Sequence, residues 1–566
     1  MVQTFSEYEY KRPDIKRIAA EVDALLEEFK EKDSADAQAK VIDRLNTYFN
    51  HLSTMSNLAL IRSTIDTRDA FYDKERNFFD EYGPTIQEID FKYYQALMDS
   101  PHRNELEQRY GTQLFSLAEK AVKGFDPKVK TLLQQENKLD SEYSRLLASA
   151  EIEFDGKVLN LSEFGPYAQH TDRQIRRSAT EAVQGFMGTH LDKIDQIYDE
   201  LVKTRHQIAV ELGYKNFIEL GYIRMNRIDY DSEMVQNFRN QVAEHVVPLV
   251  TKLKERQRRR IGVEKLKIYD ESFDFTTGNA VPKGDTEDIL QAGENMYLEL
   301  SEETGEFFKF MRQRELFDVE AKKGKEGGGY CTFIPDYSSP FIFSNFNGTL
   351  DDVTVLTHEA GHAFQSYMSS GFEVPEYQFP TLESAEIHSM SMEYFTYPWM
   401  EQFFKEDTDK FKYTHMADNI SFLPYGVAID EFQHIVYEHP ELSPAERRQE
   451  WQKLEDKYLP HRDYDGIEPL ASGAFWHKQG HVFSDPFYYI DYTLAQVCAM
   501  QFWKRANEDF DGAWSDYINL CRLGGSLPFN ALVEEANLIS PFEDGCLQSV
   551  VKEAEGYLNS IDDSAL

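Results

Sequence analysis

The sequence predicts a mainly α-helical, multi-helix protein with two lobes. Residues 13–150 carry apolar side chains at helical spacing, as at Ile15, Ile18 and Val22, among abundant Glu, Lys, Gln and Ala. A chain of 566 residues is too long for one compact core, so we expect more than one lobe. Proline is sparse in this part and is expected at helix boundaries, namely at Pro13, Pro84, Pro101 and Pro127.

A β-hairpin is predicted after these helices. Residues 153–159 place an Asp-Gly pair, Asp155-Gly156, between two short apolar runs, which is typical of a tight hairpin turn. Helical spacing resumes from Arg173 to Leu212. We place the boundary near residue 190, giving an N-terminal helical lobe over residues 1–190 and a second region over residues 191–566.

A small β-region is predicted next, around residues 330–346, which are rich in Phe, Tyr and Ile. It follows a flexible loop that contains Gly324 and the run Gly327-Gly328-Gly329. An extended peptide could add to the edge of such a sheet through main-chain hydrogen bonds. A small sheet that only covers the core fits these residues equally well.

The next helix carries the motif His-Glu-x-x-His. Thr349 is expected to cap this helix and Gly371 to end it. Because positions four apart stack on one helix face, His358 and His362 can bind one metal ion together. Glu359 lies on the adjoining flank, from which a carboxylate can act as general base on a water at the open position of the metal. This spacing favours metal-assisted hydrolysis.

A catalytic zinc site needs a third protein ligand, and a second, largely buried helix predicted over residues 382–395 can supply it. Glu386 and Glu393 lie two turns apart on one face of that helix. We expect Glu386 to be the third ligand and Glu393 to orient a ligand histidine. The alternatives are Glu383, nearer the helix start, and His388, on another face. Glu383 has the simpler role of complementing the helix dipole, and His388 has the simpler role of a packed histidine.

These two segments resemble the thimet oligopeptidase family of zinc metallopeptidases, peptidase family M3, and particularly its oligoendopeptidase F branch. The matching residues are His358-Glu359-Ala360-Gly361-His362 and Ala385-Glu386-Ile387-x-Ser389-Met390. Residues 340–348, 205–222 and 524–526 are similar as well, so the likeness runs from about residue 145 to the C-terminus.

Stabilising the oxyanion of amide hydrolysis requires a hydrogen-bond donor besides the metal. The segment around residues 476–496 offers candidates, and Tyr488 and Tyr492 would share one face if it is helical. The resemblance implies that His481, Tyr488 and Tyr492 bind the transition state or a substrate carbonyl. His477 is the alternative to His481. The segment departs from the branch at Asp491, where relatives usually carry Gln, which puts side-chain preference in doubt.

The resemblance implies a two-lobed zincin-type fold with a deep central channel and the small β-region beside the metal helix. It implies one Zn²⁺ per chain, held by His358, His362 and Glu386, with Glu359 as general base. Residues 191–566 would form the catalytic region, and the enzyme would cut internal bonds of short oligopeptides that fit the channel.

Composition limits the partners. With 99 acidic against 60 basic residues, the net charge of −39 argues against nucleic-acid binding, which depends on Lys and Arg. The one basic run, residues 252–260, is expected to be an exposed helix face. No apolar leader or membrane span is found, so we expect a cytoplasmic protein, with its four cysteines reduced and mostly buried. The sequence predicts no oligomeric state.

Two other functions fit part of this pattern. A carboxypeptidase or dipeptidyl carboxypeptidase of a related helical zinc fold would need a cationic pocket for the substrate C-terminus, and no signature assigns one. A non-catalytic peptide-binding protein with a relict metal site would have no use for the general base Glu359.

Overall fold

The computed structural model describes residues 2–566, and it is mainly α-helical with small sheets, as predicted; the two lobes and the central channel stay predictions. Several helices begin at a short polar side chain that binds a free backbone N–H, as Asp14 and Ser34 do at the first two. The helices before the first strand are α1 (Ile15–Lys30), α2 (Ala35–Ile65), α3 (Ala70–Met98), α4 (Arg103–Tyr110), α5 (Thr112–Gly124) and α6 (Lys130–Ala148).

One of the predicted helix boundaries is wrong. Pro84 lies inside α3, where its side chain is buried. A proline removes one intrahelical hydrogen bond, but α3 is held along its length by packing against α1, α2, α5 and α6. Tertiary contacts therefore keep α3 helical on both sides of Pro84.

The predicted hairpin is present. Strands β1 (Ile152–Phe154) and β2 (Lys157–Leu159) pair antiparallel, with Phe154 opposite Lys157. The two turn residues, Asp155 and Gly156, both have positive φ, at 51° and 72°. That is the conformation for which an Asp-Gly pair is favoured in a two-residue hairpin.

The middle of the chain returns to helices and then forms a three-stranded sheet. A π-helical turn at Val242–Val246 joins α11 to α12. The helices are α7 (Gly165–Ala168), α8 (Arg173–Thr189), α9 (Leu191–Glu211), α10 (Phe217–Arg224), α11 (Ser232–Gln241), α12 (Val247–Arg260), α13 (Thr286–Leu300) and α14 (Glu302–Gln313). The boundary near residue 190 falls between α8 and α9 and stays a prediction.

The sheet contains β3 (Phe317–Glu320), β4 (Tyr330–Ile334) and β5 (Ser339–Phe346) in the order β3-β5-β4. β5 is almost wholly buried in the centre, parallel to β3 and antiparallel to β4. β4 is therefore an edge strand. It lies beside the metal-motif helix, into which β5 leads after a four-residue connection.

The remaining helices enclose that motif. At the centre α16 packs against both α15 and α21, and every residue from Glu383 to Phe395 of α16 is buried. The helices are α15 (Asp351–Ser369), α16 (Leu382–Phe395), α17 (Glu401–Phe404), α18 (Thr408–Glu438), α19 (Pro444–Tyr458), α20 (Gly480–Ser484), α21 (Tyr489–Glu508), α22 (Phe510–Leu523), α23 (Phe529–Glu535) and α24 (Cys546–Ser560).

Two main hydrophobic clusters stabilise this arrangement. One is built largely from α1 to α5, with Val22 and Leu45 fully buried, and it also includes Val374 and Tyr377 from the segment after α15. The larger cluster surrounds α15, α16, α18 and α21. The position of the second metal-site helix is thus fixed by packing on all its faces.

The basic run on α12 is not simply an exposed face. Arg256 and Arg260 bind the carboxylate of Asp563 near the C-terminus, and Arg260 also pairs with Asp274 at 3.1 Å. Arg256 in addition donates to the backbone oxygens of Leu558 and Ile561, at 2.8 and 2.7 Å. Part of the run therefore anchors the C-terminal segment, a long-range pairing that local sequence does not reveal.

Within residues 2–566, none of the helices combines the length and the apolar character needed to cross a bilayer. Cys498, Cys521 and Cys546 are buried free thiols and Cys331 is partly buried, as predicted.

Candidate active site

The motif helix α15 begins differently from the prediction. Its N-cap position is Leu350, and the hydroxyl of Thr349 bonds to Asn347 instead of capping a backbone N–H. The carboxylate of Asp352 accepts hydrogen bonds from the backbone N–H groups of Asn347 and Gly348 at 2.8 and 2.9 Å. An acidic residue inside the first turn thus ties the helix to the end of β5, and it also complements the helix dipole.

Helices α15 and α16 touch at a glycine inside the motif. A Cβ atom on Gly361 would lie 2.6 Å from Cα of Ser389 and 2.7 Å from the carbonyl oxygen of His388. No real side chain fits at such distances. The two helices can therefore approach this closely only because Gly361 has no side chain.

This contact brings His358, His362 and Glu386 together, with one donor atom from each lying within 4.8 Å of the others. Oε2 of Glu386 lies 3.2 Å from Nε2 of His358 and 3.4 Å from Nε2 of His362. Ligands about 2.0–2.1 Å from a tetrahedral zinc are separated from one another by about 3.3 Å. Both the donor chemistry and the separations fit a zinc ion.

A chain of hydrogen bonds fixes one of these imidazoles. Nδ1–H of His358 donates to Oε1 of Glu393 at 2.7 Å, which leaves Nε2 for the metal side. Oε2 of Glu393 accepts from Nε2–H of His415 at 2.6 Å, and Nδ1 of His415 accepts from the Tyr397 hydroxyl at 2.7 Å. The two imidazoles hold the pKa of Glu393 below its ordinary value although burial opposes its ionisation.

The carboxylate of Glu359 lies next to the glycine-rich loop. A Cβ atom on Gly329 would be 3.3 Å from Oε1 of Glu359, so this loop position has little room for a side chain. Oε2 of Glu359 is buried and has no hydrogen-bond partner among residues 2–566. Burial raises the pKa of Glu359, although the two neighbouring histidines oppose the rise. A carboxylate in this state is suited to accept a proton.

The predicted donor residues lie beside Glu386. The Tyr488 hydroxyl donates to Oε1 of Glu386 at 2.5 Å. Tyr488 stacks on Tyr492, with ring centroids 4.8 Å apart. Nε2 of His481 and the hydroxyl of Tyr492 are 3.0 Å apart. The structure thus brings His481, Tyr488 and Tyr492 together beside the metal-ligand group.

A strained turn places Tyr488. The preceding residue, Phe487, has a φ of 71°, a left-handed conformation that a bulky residue seldom adopts. Its backbone N–H donates to Oε1 of Gln433 at 3.0 Å, and its carbonyl accepts from Arg227. Arg227 is fully buried and also pairs with Asp491 at 2.9 Å. These contacts hold the turn in its strained conformation.

The alternative candidates lie elsewhere. Glu383 is buried toward Asp491, and burial together with that carboxylate raises the pKa of Glu383. His388 is buried with Nδ1 bonded to the carbonyl oxygen of Ser384 at 2.8 Å. His477 is buried against Trp476, with Nε2 3.1 Å from Asp195, and burial lowers its pKa to about 3. None of the three is part of the group that His358, His362 and Glu386 form.

A cavity of about 660 Å³ lies between β4, the helices α2 and α3 and the segment that follows α15. It is lined by Cys331 and Phe333 on β4 and by Phe379, whose ring centroid is 6.3 Å from that of His362. The volume is within the range of about 300–1,000 Å³ typical of ligand pockets. Phe379 is thus the wall residue that connects this cavity to the neighbourhood of His362.

Sequence reasoning missed three residues that hold the site in place: His415, Tyr397 and Arg227. His415 and Tyr397 follow no motif, and the only local signal was the buried acid Glu393, which needed a partner. Arg227 and Asp491 are 264 positions apart in the chain, so nothing local suggests their pairing.

Comparisons with known proteins agree with this geometry. The model of the Peptidase M3 N-terminal domain matches residues 5–125, and that of Peptidase family M3 matches residues 167–551. A solved structure of PZ peptidase A with an inhibitor superimposes with a TM-score of 0.99 at 55% identity, covering 99% of this chain and 100% of that one.

Curated relatives are more distant. An oligoendopeptidase F homolog of Borreliella burgdorferi is 25% identical over 70% of this chain and 69% of its own length. Oligopeptidase PepF of Bacillus subtilis is 22% identical over 87% of this chain and 76% of its own length. The family match spans more than half of the chain and covers both metal-site helices. The chain therefore belongs to peptidase family M3, in its oligoendopeptidase F branch, and is a metalloendopeptidase.

Proposed function

We propose that this peptidase is a zinc enzyme that hydrolyses internal bonds of short oligopeptides, with Glu359 as the general base. The observation that carries the proposal is the spacing of the donor atoms, with Oε2 of Glu386 3.2 and 3.4 Å from Nε2 of His358 and His362, beside the buried carboxylate of Glu359. A pure binding site has no use for such a carboxylate.

His358, His362 and Glu386 would hold one zinc ion per chain. Bound there, zinc would polarise the scissile carbonyl and lower the pKa of a water molecule. Glu393 and His415 keep His358 in the tautomer whose Nε2 is free to bind metal. Because their donor atoms already lie close together, the three ligands need little rearrangement to accept the ion.

Glu359 would take the proton of the attacking water and pass it to the leaving amine. Its raised pKa suits both steps, because a carboxyl group with a pKa nearer neutrality can accept a proton and release it again. The unpartnered Oε2 gives it a free lone pair for this transfer. The neighbouring glycine loop limits solvent on that side.

The hydroxyls of Tyr488 and Tyr492 would donate to the oxyanion that forms on the substrate carbonyl, with His481 supporting Tyr492. Tyr488 already donates to an oxygen of the ligand Glu386, so a donor is available right beside the metal position. Burial raises the pKa of both phenols well above the ordinary value, which keeps them protonated as donors. Such donors typically contribute about 10²–10³ in kcat.

The substrate main chain would pair with strand β4. The carbonyl of Phe333 points away from β5, since it accepts from Nδ2 of Asn57 at 2.7 Å. Backbone groups two residues apart point to the same side of a strand, so Cys331 turns its N–H and C=O toward the cavity. Recognition through main-chain atoms would grip peptides with little side-chain preference.

The test is cleavage of an internally quenched peptide blocked at both ends. Wild type should cut it at an internal bond, and Glu359→Gln should retain about one zinc per chain while losing roughly three or more orders of magnitude in rate. If wild type holds zinc yet leaves the blocked peptide intact, the proposal fails.

Two alternatives predict other outcomes. An exopeptidase of a related zinc fold would lose most activity when the substrate C-terminus is amidated. A peptide-binding protein would bind the peptide without cutting it. The family's enclosed channel supports a limit to short peptides, and the net charge of −39 supports a soluble enzyme without nucleic-acid partners. We propose a cytoplasmic location for it.

A further inference from the structure

Gln479, between a 3₁₀ turn and α20, lies at the start of the hydrogen-bond chain that reaches Tyr492. Its Oε1 accepts from the hydroxyls of Tyr425 and Tyr489, each at 3.1 Å. Its Nε2 lies 2.9 Å from Nδ1 of His481. Nε2 of His481 in turn lies 3.0 Å from the hydroxyl of Tyr492.

The two tyrosines determine which way the amide points. Neither Tyr425 nor Tyr489 has another hydrogen-bond partner for its hydroxyl among residues 2–566. If the amide of Gln479 were flipped, both hydroxyl protons would face NH₂ and remain unbonded, which is costly for partly buried groups. With Oε1 toward the tyrosines, both hydroxyl protons have an acceptor and Nε2 can donate to His481.

The amide orientation then sets the proton position on His481. Gln479 Nε2–H can only donate, so Nδ1 of His481 must be the acceptor and carry no proton. Burial lowers the pKa of His481, although Asp485 and Glu386 oppose this, so the ring is neutral and its single proton resides on Nε2. Nε2–H donates to the oxygen of Tyr492, which leaves the O–H of Tyr492 free to donate elsewhere.

We propose that Gln479 is a positioning residue that, through the tautomer of His481, directs the hydroxyl proton of Tyr492 toward the substrate oxygen. In the opposite tautomer, Nε2 of His481 would take up that proton and Tyr492 would present only lone pairs to a developing oxyanion. This inference rests on the proposed function for the role of Tyr492, but not for the tautomer itself.

The direct test is ¹⁵N NMR of the imidazoles in wild type and in Gln479→Glu, at pH 9, where His481 stays neutral. The carboxylate keeps an acceptor for both tyrosines but replaces the donor to Nδ1 with an acceptor. Wild type should show His481 protonated at Nε2, and the variant should show it protonated at Nδ1. A His481→Gln sample assigns the resonance.

The kinetic arm separates positioning from folding. Gln479→Glu should lower kcat at least about tenfold with KM changed less than about twofold, because the lost interaction forms in the transition state. In a Tyr492→Phe background the same substitution should lower kcat by less than about a further twofold, since its target hydroxyl is already absent. If Gln479 had a purely structural role, the factors by which Gln479→Glu and Tyr492→Phe lower kcat would multiply in the double variant.

Gln496→Glu is the matched control, because Gln496 is a buried amide that likewise bonds to a phenol, donating to the hydroxyl of Tyr394 at 3.0 Å. It should leave the His481 tautomer as in wild type. Protonation of Nδ1 in wild type, an unprotonated Nδ1 in Gln479→Glu, or multiplicative losses with Tyr492→Phe would each overturn the proposal. Should wild type fail to cut peptides at all, the proposed function falls while the NMR result still decides the tautomer.

Discussion

Replacing Gly361 with alanine should separate the two metal-site helices and weaken zinc binding. The new Cβ would lie 2.6 Å from Cα of Ser389, whereas ordinary contacts begin at 3.4 Å, so α15 and α16 must part by about 0.8 Å. The obstructing atoms belong to backbone, so no side-chain rotation can relieve the clash. Metal–ligand distances tolerate only about 0.2 Å. We therefore expect zinc affinity to fall at least about tenfold, or about 1.4 kcal/mol.

The assay is competition for zinc against a chelating dye, with thermal unfolding recorded in parallel. Gly185→Ala is the control, because Gly185 lies inside α8 with no atom within 4 Å of an added Cβ. Alanine there should stabilise the helix by up to about 1 kcal/mol and leave zinc affinity unchanged. Wild-type zinc affinity in Gly361→Ala would show that the close contact between the helices is not needed for the metal site.

Three further substitutions test separate parts of the site. Glu393→Gln should weaken zinc binding about 10- to 100-fold in the same dye assay, because it removes the charge that orients His358 and His415. Tyr488→Phe should keep zinc and KM but lower kcat about 10²-fold or more on the blocked peptide; an unchanged kcat would remove Tyr488 from the mechanism. Asp90 lies in the cavity wall, and its burial, with Glu376 nearby, raises its pKa to about 7. The folded state keeps this proton at pH values above the unfolded pKa of about 3.9, so the free energy of unfolding falls as pH rises from about 4 to 7. The free energy of unfolding of Asp90→Asn should therefore exceed that of wild type by about 2–4 kcal/mol at pH 8 but not at pH 4. Urea unfolding at the two pH values measures this difference.

Local patterns predicted those parts of the fold that local forces determine. The Asp155-Gly156 hairpin and the motif helix follow from turn preference and residue spacing within a few positions. The errors have another origin. Pro84 stays inside a helix and Arg256 binds the C-terminal segment because distant parts of the chain pack there, which no window of neighbouring residues reports.

The candidate site shows the same division. His358 and His362 are four residues apart, and Glu386 stood out as an acid on an otherwise apolar helix, so these candidates could be found from sequence. Gln479 lies only two residues from His481, yet its orientation depends on Tyr425, which is 54 positions away. The polar residues that orient catalytic side chains are determined by tertiary contacts, and sequence spacing does not predict these contacts.

The two sides of the site are held by different means, which has a consequence for how each should respond to substitution. On the metal side, Glu393, His415 and Tyr397 form a buried hydrogen-bonded chain behind His358, so its orientation is fixed by the core. On the donor side, Tyr488 follows a left-handed residue whose conformation depends on Arg227. Damage to the first should therefore appear as lost metal, and damage to the second as slow turnover with the metal still bound.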